Sequence, residues 1–265
     1  MDFYFNNVDM HLNKLKNFIT NWINAYSKEN EKNLIVGVSG GIDSALTSTL
    51  CAMTNLKTFI VSIPIHQKKR ELHRANKHME WLLASHSNVE TITIELDHVF
   101  DAYKGSIPSK YQSELALANS KARLRMTTLY QIATTKNGIV VGTGNKVEDF
   151  GIGFFTKYGD GGVDISPIGD LNKSEVRSLA KFCGISQDIL EADPTDGLWE
   201  DGRTDETQIG ATYKELEWAM SLNEKRKALT KREQTVLEIY NTLHTQNQHK
   251  MTEIPICNIP NEIRP

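Results

Sequence analysis

A short loop with two hydroxyls, two glycines and one carboxylate is the densest group of candidate functional residues in this chain. It reads Ser-Gly-Gly-Ile-Asp-Ser over residues 39–44 and follows an apolar run at residues 34–38. Glycines between a strand and a helix leave backbone N–H groups exposed at the helix start, where the helix dipole attracts an anion. Because the loop has no lysine, we expect it to hold a phosphate chain together with a metal ion that bridges that chain.

Two nucleotide-binding patterns fail on this sequence. The P-loop of NTPases ends in Gly-Lys-Ser/Thr, whereas here the second glycine is followed by Ile42 and Asp43. The segment Gly142-Thr143-Gly144 follows a strand pattern but lacks the third glycine of the dinucleotide fingerprint. The loop therefore fits neither of these two large nucleotide-binding classes.

A serine-hydrolase interpretation competes for the same residues. Gly37-Val38-Ser39-Gly40-Gly41 satisfies G-x-S-x-G, the nucleophile elbow, in a strand-to-helix context. No HGGG-type oxyanion motif lies upstream, and a nucleophile at Ser39 leaves Asp43 and Ser44 without a role. We favour the anion site and keep a nucleophilic Ser39 as the alternative.

The elements that must position this loop follow from the alternation of apolar runs and helical periodicities. An amphipathic helix pattern over residues 12–26 comes first, and strand patterns then alternate with helix patterns. This βαβ order predicts an α/β, doubly wound, mostly parallel sheet that binds its ligand at the carboxyl ends of the strands. The predicted strands cover residues 34–38, 58–63, 89–96 and 138–142, and the predicted helices between them cover residues 45–53, 70–85 and 113–135.

The last third of the chain has a different amino-acid composition. Residues 150–163 are rich in glycine and aromatics, and residues 191–207 are rich in Asp, Gly and Pro, which is typical of functional loops. A helix over residues 172–182 lies between them, and the capping box from Thr230 to Glu233 predicts a final helix.

Composition bounds the function class. The chain has 265 residues and a net charge of −3, so we expect a single domain over residues 1–265 with no basic surface for nucleic acid. Apolar stretches are far shorter than a membrane span, and the first residues do not resemble a secretory signal. The three cysteines show no metal-ligand spacing, which favours a reducing compartment, and the cytoplasm is the expected location.

Six further segments, together with the loop, closely resemble the ammonia-dependent NAD synthetases along nearly the whole chain. The resemblance implies a Rossmann-like fold with helices on both faces, a homodimer, and conversion of deamido-NAD, ATP and ammonia into NAD, AMP and pyrophosphate through an adenylated carboxylate. Glutamine-dependent relatives carry an amidase domain before the loop, whereas only one helix pattern precedes the first strand here. We therefore expect free ammonia, or ammonia delivered by a partner protein, as the nitrogen source. The segments are residues 120–126, 140–149, 153–164, 170–174, 193–199 and 249–250.

The resemblance assigns roles to individual residues. Asp43 and Lys173 are implied as catalytic, and Asp43 and Glu148 as ligands of Mg²⁺, which prefers hard oxygen ligands. The implied ATP-binding residues are Gly37, Val38, Ser39, Gly40, Gly41, Ile42, Asp43, Ser44, Thr143, Lys173 and Thr195. The implied deamido-NAD-binding residues are Arg123, Lys157, Asp164, His249 and Lys250.

Structural explanations remain open for several of these residues. Asp43 could simply complement the dipole at a helix start, and His249 with Lys250 could do so at a helix end. Arg123 could belong to a solvated helix face. The aromatic side chains of Phe154, Phe155 and Tyr158 could stack on the nicotinate ring, or they could be core or interface residues.

Two other functions share the same loop. A GMP synthetase module or a tRNA-modifying adenylating enzyme would require a glutaminase partner or a basic RNA surface, respectively. A non-catalytic module that binds an adenine nucleotide would keep the glycine loop but would need neither Glu148 nor Lys173.

Overall fold

The computed structural model describes residues 2–195, 204–222 and 228–265, with side chains from residue 8 onward. Four parallel strands form one sheet in the order β3-β2-β1-β4. The first strand therefore lies in the interior of the sheet and is paired on both sides. The strands are β1 (Asn33–Gly37), β2 (Thr58–Ser62), β3 (Val89–Thr93) and β4 (Gly138–Val141).

Helices cover both faces of this sheet, so the predicted doubly wound fold is confirmed. Their side chains, with those of the strands, form one buried cluster on each face. The helices are α1 (Asp2–Glu29), α2 (Ile42–Ala52), α3 (Lys69–Ser85), α4 (Asp97–Ser106), α5 (Glu114–Thr135), α6 (Lys173–Phe182), α7 (Gln187–Leu190), α8 (Asp205–Ile209), α9 (Tyr213–Ser221) and α10 (Lys231–Met251).

The central strand explains why the sheet is buried on both faces. Leu34 and Val36 face the cluster that contains α1, α2 and α6, whereas Ile35 between them faces the cluster that contains α4 and α5. Successive side chains of a strand point to opposite faces, and a strand covered on both faces is continuously apolar. All three side chains are fully buried, as this pattern requires.

Several boundaries and elements differ from the sequence-based expectation. The helix after the loop begins at Ile42 and not at residue 45, so Asp43 and Ser44 lie in its first turn. The third strand ends at Thr93, and the chain continues into α4, which the sequence analysis did not predict. The segment Lys146–Ile152, which was not predicted to be helical, is a π-helical turn.

A third buried cluster lies outside the sheet. It joins the π-helical segment to α9 and α10 through side chains such as Val147, Ile152, Leu216 and Val236. The predicted final helix is confirmed, with Thr230 as its N-cap in a capping box with Glu233. Among the described helices, none is long and apolar enough to cross a membrane.

Candidate active site at the carboxyl ends of the central strands

A cleft of about 270 Å³ opens at the carboxyl ends of β1 and β4. Its walls come from the loop after β1, from the residues that follow β4, and from α3, α5 and α6. Nearly all of the residues predicted to bind ATP line it, although their sequence positions are far apart. These lining residues are Gly37, Val38, Ser39, Gly41, Ile42, Asp43, Ser44, Thr143, Lys173 and Thr195, and Glu148 joins them.

Two serines fix the shape of the loop after β1. The backbone N–H of Ser39 donates to Ser44 Oγ at 3.2 Å, and Ser44 Oγ donates to the Gly41 carbonyl at 3.0 Å. The N–H of Gly41, the N-cap of α2, donates to Ser39 Oγ at 3.2 Å. Among the described residues, the Ser39 hydroxyl contacts the Gly41 N–H and Ser44 Oγ, and neither group is a base. A nucleophilic Ser39 therefore has no support in this geometry.

The loop also rests directly on α3. Gly40 has a φ of +88°, and a Cβ on this residue would lie 2.3 Å from the Glu71 carbonyl oxygen, so only glycine fits. Arg74 Nε donates to the Gly40 carbonyl at 3.0 Å, and Gln67 Nε2 donates to the Ser39 carbonyl at 2.7 Å. These two side chains occupy the carbonyls of Ser39 and Gly40.

Three charged side chains from distant parts of the chain meet in the cleft. Lys173 Nζ lies 2.6 Å from Asp43 Oδ2 and 2.8 Å from Glu148 Oε1. The Lys173 side chain is 3% exposed, and the two carboxylates are 18% and 16% exposed. A buried lysine thus bridges both carboxylates that the sequence analysis assigned to a metal ion.

Two neutral side chains also donate hydrogen bonds to these carboxylates. Asn145 Nδ2 donates to Asp43 Oδ1 at 3.1 Å, while its own oxygen accepts from the N–H groups of Val147 and Glu148. The Tyr213 hydroxyl donates to Glu148 Oε1 at 2.5 Å. Sequence analysis missed both Asn145 and Tyr213. Asn145 directly precedes the π-helical segment as its N-cap, a position where Asn is common.

For Asp43, Glu148 and Lys173, burial and ion pairing act on each pKa in opposite directions. Burial raises the pKa of Asp43, although Lys173 opposes this shift. Burial would raise the pKa of Glu148 as well, but Lys173 and the Tyr213 hydroxyl hold that pKa below its usual value. Burial would lower the pKa of Lys173, but the two carboxylates raise it. The lysine is therefore charged at neutral pH.

A further carboxyl group in the cleft was missed. Asp149 follows Glu148 and lines the cleft, and its pKa is raised well above the usual value by burial and by the charge of Glu148. Gly144 accommodates it, since a Cβ there would lie 1.8 Å from Asp149 Oδ2. The pair of adjacent acidic residues Glu148-Asp149 was the sequence feature that could have identified Asp149 as a site residue.

The loop after α7 reaches the cleft at Thr195. Its hydroxyl lies 3.5 Å from Glu71 Oε1 of α3. Residues 196–199 of the predicted motif at 193–199 lie outside the described residues.

The residues predicted to bind deamido-NAD form a second group beside the cleft. Arg123 Nε donates to the Lys157 carbonyl at 3.2 Å, and Lys157 Nζ donates to the His249 carbonyl at 2.5 Å. Lys250 Nζ donates to the carbonyls of Gly153 and Phe155 at 2.7 and 2.9 Å. The two lysines therefore tie the glycine-rich loop to the end of α10.

Asp164 and the aromatic residues have distinct environments. Asp164 Oδ2 accepts from the backbone N–H of Val140 at 2.7 Å, and Oδ1 accepts from the Tyr130 hydroxyl at 3.0 Å. Phe154 lines the cleft and packs on the third cluster, whereas Tyr158 is exposed. Asp164 therefore has a structural contact with β4 in addition to any role in binding.

Comparisons with known proteins agree on one family. The family model described as NAD synthase matches residues 11–254. The NH3-dependent NAD+ synthetase of Carboxydothermus hydrogenoformans is 37% identical over 245 residues, which cover 90% of this chain and 95% of that protein.

Solved structures of similar proteins have the same fold. An NMN synthetase from Francisella tularensis superposes with a TM-score of 0.81 at 32% identity, covering 94% of this chain and 98% of that one. The NH3-dependent NAD synthetase from Campylobacter jejuni superposes with a TM-score of 0.76 at 27% identity, covering 93% and 99% of the two chains.

Proposed function

This chain belongs to the NAD synthase family and is an ammonia-dependent NAD synthetase, and we propose that Asp43, Glu148 and Lys173 form its adenylating centre. The enzyme catalyses the ATP-dependent amidation of deamido-NAD by ammonia in NAD biosynthesis. A carboxylate resists attack by ammonia because the negative charge delocalised over its two oxygens makes the carbon a poor electrophile, and because neither oxygen is a good leaving group. ATP must therefore convert one carboxylate oxygen into a leaving group first.

The proposed reaction has two steps. A carboxylate oxygen of deamido-NAD attacks the α-phosphorus of ATP, and the bond from that phosphorus to the bridging oxygen breaks to release pyrophosphate. Ammonia then attacks the carboxyl carbon of the adenylate, AMP leaves with the carboxylate oxygen, and the nitrogen loses a proton. The products are NAD, AMP and pyrophosphate.

The loop after β1 supports the first step. It leads into α2, which begins at Ile42 and whose first backbone N–H groups have no partner within the helix. The carbonyls of Ser39 and Gly40 are occupied by Gln67 and Arg74. Backbone donors fixed in advance stabilise charge that develops on a leaving group without reorganising. We propose that this loop holds the β- and γ-phosphates and that Ser39 contacts them through hydrogen bonds.

The same centre fits a Mg²⁺ ion. The ammonium group of Lys173 already lies between the carboxylates of Asp43 and Glu148, so this position favours a cation. Among the described residues, no group of three or more His, Cys, Asp and Glu side chains converges as a closed metal site. Mg²⁺ commonly takes one or two carboxylates and completes its shell with water and phosphate oxygens. We propose Asp43 and Glu148 as its ligands, where it would neutralise phosphate charge.

Deamido-NAD is proposed to lie across the second group of residues. Arg123 contacts Lys157 of the glycine-rich loop, so both provide positive charge there, and Phe154 of the same loop lines the cleft. A substrate with its carboxylate in the cleft and its phosphates near these cations would pass over the loop. Arg123 offers a forked donor for a phosphate, and Lys157 a mobile point charge.

The observation that carries this proposal is the convergence of Asp43, Glu148 and Lys173 beside the loop after β1. It is tested by incubating the purified chain with ATP, Mg²⁺, ammonium and deamido-NAD and measuring NAD. Glutamine in place of ammonium is the matched control. Efficient use of glutamine, or no NAD with ammonium, would contradict the proposal.

One solved relative suggests a second substrate. The Francisella tularensis protein is an NMN synthetase, and it is 32% identical to this chain over nearly its full length. NMN synthesis uses the mononucleotide form of the same nicotinate carboxylate, so the adenylating centre could serve either reaction. Direct competition between deamido-NAD and nicotinic acid mononucleotide separates the two candidates. We propose the dinucleotide as the substrate with the higher kcat/KM, and the reverse preference would identify the second function.

We also propose that residues 1–265 act as one domain, as a homodimer in the cytoplasm. The bonds from Ser174 of α6 to Glu217 of α9, at 2.7 and 2.8 Å, support the single domain because they join the sheet region to the third cluster. The family resemblance is the support for the dimer. Light scattering coupled to size-exclusion chromatography measures the molar mass directly, and a monomer at assay concentration would contradict this proposal.

A further inference from the structure

One face of α10 carries three polar side chains that reach the same short stretch of backbone. His244 Nδ1 bonds to the Gly151 carbonyl at 2.6 Å, and Asn247 Nδ2 donates to the Ile152 carbonyl at 2.9 Å. Lys250 Nζ follows on the Gly153 and Phe155 carbonyls. Residues three apart on a helix are neighbours on its surface, so the spacing 244, 247 and 250 produces a continuous row of donors.

The carbonyls that they reach are those left open by the end of a helix. The π-helical segment ends at Ile152, and Gly153 follows it in the left-handed conformation with φ of +63°. The last carbonyls of a helix have no partner within that helix. The Gly151, Ile152 and Gly153 carbonyls belong to this set, and α10 supplies one side-chain donor to each.

The end of the π-helical segment and α10 also pack directly against each other. A Cβ on Gly153 would lie 2.4 Å from Asn247 Cβ, so glycine permits the close approach that the hydrogen bonds need. His244 is further held by stacking on Tyr240, with ring centroids 5.6 Å apart. The position of the backbone at residues 151–155 is therefore set by α10.

We infer that His244 and Asn247, with Lys250, are positioning residues that hold the glycine-rich loop in the register needed to bind the nicotinate substrate. This inference rests on the proposed function. The segment that they hold leads directly into Phe154, Phe155 and Lys157. The ATP loop at residues 37–44 is fixed by other contacts, from Ser44, Gln67 and Arg74. Loss of the donors should therefore weaken deamido-NAD binding far more than ATP binding.

Matched substitutions separate the donor from the shape of the side chain. Asn247→Asp keeps the size but removes the N–H donor that faces the Ile152 carbonyl. His244→Phe keeps a ring that can stack on Tyr240 but has no donor, whereas His244→Asn retains a donor near the Nδ1 position. Arg232→Met is the control, since it breaks the bonds from α10 to Glu215 of α9 and does not touch the glycine-rich loop.

Steady-state kinetics and amide hydrogen exchange provide two readouts. We expect Asn247→Asp and His244→Phe to raise the KM for deamido-NAD about fivefold or more, with the KM for ATP within about twofold. We expect His244→Asn to restore the KM for deamido-NAD most of the way, and Arg232→Met to leave the ratio of the two KM values unchanged. An equal rise in both KM values, or the same effect in Arg232→Met, overturns the inference.

Amide exchange tests the same inference without substrate. In the ligand-free enzyme, residues 151–158 should exchange faster in Asn247→Asp and His244→Phe than in the wild type or in Arg232→Met. This result would support the positioning role even if the chain proved inactive on deamido-NAD, in which case the proposed function alone would fail. Unchanged exchange in residues 151–158 overturns the inference whatever the activity.

Discussion

The ammonium group of Lys173 lies 2.6 Å from the carboxylate of Asp43, a residue 130 positions earlier in the chain. The same nitrogen lies 2.8 Å from Glu148 Oε1, so one buried cation serves two carboxylates. Lys173 is the first residue of α6, a helix position where a cation is mildly unfavourable. The ion pairs with Asp43 and Glu148 account for its presence there and link the start of α2 to the start of α6.

Asp43→Asn should stop adenylation while the fold persists. Asn145 and Lys173 donate to different oxygens of Asp43, so the amide keeps an acceptor for one of them. Lys173 keeps Glu148, but a carboxylate ligand for the metal is lost. We expect AMP formation to fall about 100-fold or more, with an unchanged circular dichroism spectrum. Asp170→Asn is the control, because the Asp170 side chain is 95% exposed and its ion-pair partner among the described residues is the surface residue Lys146. Activity of Asp43→Asn at the level of this control would remove Asp43 from the centre.

Lys173→Met should raise the affinity for a divalent cation while abolishing turnover. Two neighbouring carboxylates would lose their buried counter-ion, and removal of one partner from a buried ion pair typically costs about 3–5 kcal/mol. We expect a lower melting temperature without metal, a larger rise on addition of Mn²⁺ than in the wild type, and tighter Mn²⁺ binding by electron paramagnetic resonance. Equal Mn²⁺ affinity in the two proteins would mean that Lys173 does not compete for the cation position.

Sequence analysis predicted the residue types of this centre better than their mutual contacts. Asp43, Glu148 and Lys173 were each identified, but nothing in the spacing indicated that the lysine would bridge the two acids. A long-range contact of this kind depends on the packing of α6 against α2, which periodicity does not encode.

Backbone features were the least predictable part. The π-helical turn at Lys146–Ile152 has no distinct periodicity over its short length, and it was missed. His244 and Asn247 were also missed, because their partners are carbonyl oxygens, which every residue has. By contrast, the capping box at Thr230 and the apolar β1 have local signatures, and both were predicted.

Ser39→Ala distinguishes the phosphate loop from a hydrolase elbow. The Ser39 hydroxyl accepts from the Gly41 N–H and contacts Ser44, so its loss should loosen the loop. We expect a higher KM for ATP and a kcat within about tenfold of the wild type, since one neutral hydrogen bond contributes about 1 kcal/mol. A fluorophosphonate probe should not label the wild type. Stoichiometric labelling of Ser39 would restore the nucleophile interpretation.

His78 should make stability depend on pH below neutrality. Burial lowers its pKa to about 4, and its ring bonds to Ser48 of α2 at 2.9 Å. The unfolded chain binds this proton near pH 6.5 and the folded chain does not, so stability is complete above pH 6.5 and falls toward pH 4. At pH 5 the loss from His78 is about 2 kcal/mol.

Urea unfolding at pH 7 and pH 5 measures this effect. His78→Gln should lose less stability between the two pH values than the wild type, by up to about 2 kcal/mol, because glutamine does not titrate. His98→Gln, a substitution elsewhere on the chain, serves as the comparison. An identical pH dependence in the wild type and His78→Gln would show that His78 is not held neutral by the fold.

The most direct test of the account is the product balance of a single reaction. The wild-type chain is incubated with ATP, Mg²⁺, ammonium and deamido-NAD, and AMP, pyrophosphate and NAD are quantified together. The account predicts equal amounts of the three products and no AMP when deamido-NAD is omitted. Release of ADP in place of AMP, or AMP no higher than in the control without deamido-NAD, would contradict it.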